Sequence, residues 1–109
     1  MKVFKFGGAS VKDAASVKNV REILSHYNGE RLCVVLSAMG KTTNALEAVA
    51  DAWIKQDMAA ITLLNEIETF HMDISKELNG AGSKQLKLII REIRQLLQSA
   101  PPALYDAAY

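Results

Sequence analysis

Lys2-Val-Phe-Lys-Phe-Gly-Gly-Ala-Ser10 decides how this chain folds. Lys2 to Phe6 is rich in β-favouring residues and runs straight into a glycine pair and a hydroxyl residue. Beyond it, Val11, Ala14, Val17, Val20, Leu24 and Tyr27 recur at spacings of three and four, which predicts a helix. Its start is expected near Ser10, capped by Ser10 or Asp13, and Asn28-Gly29 supplies a stop. Leu32-Cys-Val-Val-Leu36 follows without polar alternation, the pattern of a strand covered on both faces of a parallel sheet. Cys33 in its middle is expected to be a buried small hydrophobe. Strand, helix, strand is a βαβ unit.

Working outward, a loop spans Ser37 to Thr43, and a helix from about Asn44 to Ile54 places Leu46, Val49, Ala50 and Trp53 on one face. A longer helix from about Met58 to Leu78 carries a stripe of Ile61, Leu64, Ile67, Phe70 or His71, Ile74 and Leu78. Asn79-Gly-Ala-Gly82 breaks it, and Ser83 to about Gln98 repeats the pattern with Leu86, Ile89, Ile90, Ile93, Leu96 and Leu97. These two helices are expected to form an αα-hairpin, and Ser99-Ala-Pro-Pro102 ends helical structure. The fold class is α/β. Two strands are too few for a finished parallel sheet, which needs partners and cover on both faces. The chain is therefore expected to be the N-terminal piece of a longer protein. By itself its open sheet edge should make it poorly soluble or oligomeric.

Composition narrows the function classes. The chain has 109 residues, enough for one ordinary domain, and half of them are hydrophobic. A net charge of +1 without a basic cluster argues against nucleic acid. The longest aliphatic run, Leu32 to Leu36, is far below the roughly 20 residues of a membrane span. No secretion signal precedes the first strand, and the single cysteine permits no internal disulfide, so a cytoplasmic protein is expected.

Both polar loops directly follow strands, and ligands of parallel α/β sheets bind outside the carboxyl ends of strands. Gly7 and Gly8 let backbone N–H groups approach phosphate oxygens, and a helix starting near Ser10 would add the positive end of its dipole. Lys5 would stabilise charge on a transferred group. Phosphoryl transfer, which depends on positioning and electrostatics, suits this set. The plain alternatives are a tight strand-to-helix turn for the glycines and an edge lysine reaching solvent for Lys5. Gly40-Lys41-Thr42 fails the Walker A pattern, because the required earlier glycine is Val35, inside a strand. Lys41 is then a solvent-facing lysine or a weak phosphate contact. Ser37, Thr42, Thr43 and Asn44 suit a small polar substrate, or simply cap a helix. His71, with no metal-spaced partner, reads as structural, and His26 as exposed. No metal site is expected.

Lys5-Phe-Gly-Gly-Ala-Ser10 together with Val34-Val-Leu-Ser-Ala-Met-Gly-Lys-Thr-Thr-Asn44 resembles the N-terminus of aspartate kinases, members of the amino-acid kinase superfamily. The family's pattern begins K-F-G-G-[ST]-S, with a second loop V-V-S-A-x-x-x-x-T-N. The resemblance implies the N-terminal part of a parallel-sheet αβα sandwich. It implies ATP- and Mg²⁺-dependent phosphorylation of the side-chain carboxylate of L-aspartate to 4-phospho-L-aspartate, which opens lysine, threonine and methionine biosynthesis. It also implies a homo-oligomeric parent enzyme with small-molecule partners only. Carried onto this chain, Lys5, Phe6, Gly7, Gly8 and Ser10 would hold ATP phosphates, with Lys5 catalytic. Ser37, Thr43 and Asn44 would bind substrate. Ala9 departs from the usual hydroxyl residue, so a hydrogen bond there is lost or passes to Ser10. The family's later acidic G-E segment, base pocket and regulatory domains have no counterpart in these residues, so the chain alone is expected to be inactive. Another amino-acid kinase of glutamate or acetylglutamate type, and a non-enzymatic helical interaction module, remain the alternatives.

Overall fold

The computed structural model describes residues 1–101. They form two compact units, divided between Thr42 and Thr43.

The first unit is a two-stranded parallel sheet with one crossover helix. Strand β1 (Lys2–Phe6) pairs with β2 (Leu32–Leu36), Lys2 opposite Leu32 and Phe6 opposite Leu36. Both strands have the bounds expected from sequence. Side chains alternate across a strand, so Phe4 and Phe6 share a face, with ring centroids 6.3 Å apart. On that face Phe6, Val11 and Val20 are buried together, and Phe4, Val17, Leu24 and Met39 pack against them. The start of β1 is pinned by Lys2, whose Nζ lies 3.1 Å from Glu30 and 4.8 Å from the centre of the Tyr27 ring.

The opposite face corrects one expectation. Val3 and Lys5 of β1 and their register partners Cys33 and Val35 all lie exposed. Cys33 is thus not a buried hydrophobe, and β2 is not covered on both faces. Among the described residues the sheet has only these two strands, so nothing shields the second face.

The helix start is also corrected. Gly8–Val11 form a short 3-10 turn, and α1 (Ala14–Ser25) begins only after Asp13. Asp13 is the cap, its Oδ1 accepting from the Ser16 N–H at 2.7 Å, while Ser10 lies inside the turn. α1 stops at Ser25, three residues before Asn28, and Gly29 turns the chain with φ +83°.

In the second unit α2 (Thr42–Ile54, entered from the last residue of the first unit), α3 (Ala59–Asn79) and α4 (Lys84–Leu97) pack around Leu64. Leu64 is wholly buried, with Val49, Ala60, Ile67 and Ile90 around it. α3 and α4 make the expected αα-hairpin. Its stripe is rotated slightly from the one read in sequence: Ala60 is buried while Ile61 reaches the surface, and Phe70 is exposed. His71 lies on the inner side, its Nδ1 2.9 Å from the Ile67 carbonyl, a structural role as expected. Leu46, Ile89 and Leu96 are likewise exposed instead of core. The break between α3 and α4 is chemical: Gly80 takes φ +77° and its N–H donates to the Lys76 carbonyl at 2.8 Å. Ser83 then caps α4, its Oγ accepting from the Leu86 N–H at 3.2 Å. Replacing Ser83 by alanine removes that acceptor and should cost about 1 kcal/mol, read as a lower denaturant midpoint of the helical signal. Pro102, part of the expected helix stop, lies outside the described residues.

Candidate functional site

Five of the eight residues singled out in the sequence converge where β1 ends, and a sixth roots the neighbouring loop. Lys5 is the penultimate residue of β1, opposite Val35, and forms no ion pair among the described residues. Its neighbours on the strand, Phe4 and Phe6, anchor the backbone in the core, so the lysine is held at a fixed place with its side chain exposed. Phe6 itself is committed to packing. Its ring is buried and its carbonyl accepts from the Ser37 N–H at 2.9 Å.

Gly7 continues extended, with φ −77° and ψ 177°, and no atom lies within 4 Å of where a Cβ would stand. Its carbonyl accepts from the Ser10 N–H at 3.0 Å. Among the described residues the Gly7 and Gly8 N–H groups donate to no main-chain carbonyl outside regular structure. Gly8 is crowded instead: a Cβ there would stand 2.4 Å from the Gly40 carbonyl oxygen and 3.2 Å from that of Ala38. Ser10 is exposed in the 3-10 turn. Ser37, exposed at the end of β2, is tied by its own amide to β1.

The helix dipole expected behind the glycines is not placed there. α1 begins at Ala14, and Asp13 already answers its first-turn donors with a carboxylate. The hydrogen bonds from Ser16 hold the Asp13 carboxyl below the usual carboxylate range. A depressed folded-state value means the cap contributes stability above the unfolded pKa and loses it as pH falls through the lower, folded one. Titration of the Asp13 carboxyl carbon by NMR should show that low midpoint, and Asp13→Ala should remove the corresponding acid loss of α1.

Thr42 is taken out of the substrate-binding set. It is buried, and its Oγ1 donates to the Met39 carbonyl at 2.6 Å, closing the turn into α2. α2 therefore starts two residues earlier than expected, and Thr43 and Asn44 are first-turn residues, not caps. Both are exposed and open the second unit. Lys41 is exposed. Gly40 is the residue that sequence reasoning missed. It was weighed only against the Walker pattern, yet it takes φ +55° and its N–H donates to the Gly8 carbonyl at 3.0 Å. A glycine in a loop that follows a buried-type strand was the available signal. Among the described residues no cluster of three or more metal-ligating side chains occurs, and no helix is long and apolar enough to cross a membrane.

A parallel strand pair joined by a helix, with glycine loops at the carboxyl ends of both strands, defines an α/β protein of the βαβ type. Residues 1–101 match the Amino acid kinase family, and the chain belongs to it. It is 33% identical over 99 residues to aspartokinase 2, chloroplastic, of Arabidopsis thaliana, covering 88% of this chain and 18% of that protein. With the aspartokinase of Thermus thermophilus it shares 48% identity over 50 residues, 44% of this chain and 12% of that one. The crystal structure of Clostridium acetobutylicum aspartate kinase superposes with a TM-score of 0.76 at 21% identity, covering 99% of this chain and 26% of that one. That likeness supports the α/β amino-acid kinase fold expected from sequence. The chain spans under a fifth of the length of these curated relatives, 18% and 12%.

Proposed function

We propose that this chain is the N-terminal part of an aspartate kinase catalytic domain, which transfers the γ-phosphoryl group of ATP to the side-chain carboxylate of L-aspartate. The observation that carries the reading is Lys5, which forms no ion pair among the described residues, beside the open Gly7 in a chain similar to proteins named aspartokinase. Lys5 is an exposed cation on an anchored strand, and among the described residues it has no ion-pair partner to give up. The Gly7 N–H, which among the described residues donates to no main-chain carbonyl outside regular structure, would donate to a phosphate oxygen.

In the proposed reaction a carboxylate oxygen of aspartate attacks the γ-phosphorus. The bond from that phosphorus to the bridging oxygen breaks, and ADP leaves with the electron pair. Charge gathers on the phosphoryl oxygens on the way, and the Lys5 ammonium together with main-chain N–H groups of the glycine turn would stabilise it. Mg²⁺ would arrive with the nucleotide, neutralising its phosphates, since such ions are commonly held by substrate phosphates and one or two carboxylates. Ser37 is assigned to the transfer site and Thr43 and Asn44 to the acceptor, each supported by its exposure. Ser10 is a weaker phosphate contact. The product would be 4-phospho-L-aspartate, feeding lysine, threonine and methionine synthesis, in a cytoplasmic homo-oligomeric enzyme. Residues 1–109 alone are assigned no turnover.

The test compares acceptors with the intact gene product. With ATP and Mg²⁺, hydroxylamine trapping should give the hydroxamate of aspartate and not of glutamate or acetylglutamate. Preference for either of the latter would replace aspartate in this proposal. Hydroxamate formation by the purified 109-residue chain would overturn the assignment of inactivity to it.

A further inference from the structure

The two glycines of the pair do different things. Gly7 has free space on every side where a Cβ would stand, and its backbone is extended and open to any residue. Gly8 does not need glycine for its backbone either, since its φ is not positive. What excludes a side chain at position 8 is the second loop. A Cβ would stand 2.4 Å from the Gly40 carbonyl oxygen, a main-chain atom that cannot swing aside as a flexible side chain could. The same two residues are joined by the Gly40 N–H donating to the Gly8 carbonyl at 3.0 Å. Gly40 itself takes φ +55°, which glycine adopts without strain. One loop after each strand is thus seated on the other, and the root of the second is fixed by the Ser37 N–H on the Phe6 carbonyl.

We propose that Gly8 is a positioning residue, a clasp with Gly40 that sets the place of the loop from Ser37 to Lys41, whereas Gly7 is the position kept open for a ligand. The clasp is a statement about the first unit alone. Its consequence for phosphoryl transfer rests on the kinase reading above. In that reading Gly7→Ala crowds the nucleotide phosphates and acts on KM for ATP. Gly8→Ala moves Ser37 and its loop, and acts on kcat and on KM for the acceptor.

Two measurements separate the claims. Amide hydrogen exchange on the intact gene product reads the clasp without any activity. In the unaltered chain the Gly40 and Ser37 N–H groups should be protected relative to the exposed Lys41 N–H. Gly8→Ala should speed exchange at both by about tenfold or more, and Gly7→Ala should leave both unchanged. An unprotected Gly40 N–H in the unaltered chain overturns the clasp, whether or not any variant folds. Equal protection in Gly8→Ala and Gly7→Ala overturns it as well. Steady-state kinetics of the intact gene product then reads the division of labour. Gly7→Ala should raise KM for ATP about tenfold, and Gly8→Ala should lower kcat without that rise. A clasp seen by exchange alongside kinetics that do not divide this way removes the kinase consequence and leaves the clasp standing.

Discussion

Replacing Lys5 by alanine should lower kcat of the intact gene product about 10²–10³-fold, with the folded state intact. The size follows from removing one fixed charge that acts on the transition state, a loss of about 3–4 kcal/mol where such contacts have been removed. The intact fold follows from the packing. Lys5 is exposed and makes no ion pair among the described residues, so its removal vacates no core volume and strands no opposite charge. Exposed substitutions of this kind stay within about 0.5 kcal/mol of the starting stability. Circular dichroism and a denaturant midpoint check the second part, and steady-state rates the first. A protein that works as a helical interaction module would lose neither. Lys5→Arg gives a further contrast: it keeps the charge but replaces a compact ammonium by a planar fork, and should restore part of the rate.

The largest stability effect should come from Leu64→Ala. Among the described residues Leu64 is the one large side chain with no exposed surface, and residues from α2, α3 and α4 close around it. Truncation loses the transfer energy of its methyl groups and leaves a cavity, which together cost about 2–5 kcal/mol. For a unit of this size that is a large share of the total, about 5–15 kcal/mol for ordinary domains. Far-UV circular dichroism during thermal unfolding should show a clear drop in midpoint. The exposed Ile61, one turn earlier on α3, should tolerate alanine with less than half that effect, because half-exposed sites leave no closed cavity.

Much of the fold was legible because its signals are local. β1 and β2 match their expected bounds, and the glycine-rich break before Ser83 ended α3 and began α4 where the chain chemistry places them. Legibility failed where the outcome depends on residues far apart. β2 reads as a doubly covered strand, yet Val35 and Leu36 are exposed, because cover depends on what packs on the strand from elsewhere and not on the strand itself. Ser10 and Asp13 were equivalent as caps in one dimension. The 3-10 turn at Gly8–Val11 delays the α-helix and gives the cap to Asp13. At the site, Lys5 and Gly7 were visible as a pattern, whereas the role of Gly8 was not. It depends on the approach of Gly40, more than thirty positions away, which only the strand pairing brings about.

The pairing of that lysine with a phosphoryl donor is tested most directly by one assay. The intact gene product and its Lys5→Ala variant are given ATP, Mg²⁺ and L-aspartate, and acyl phosphate is trapped with hydroxylamine. Aspartyl hydroxamate from the first and about 10²–10³-fold less from the second is the expected result. Equal rates from both, or no aspartyl hydroxamate from the unaltered protein, would contradict the proposed site.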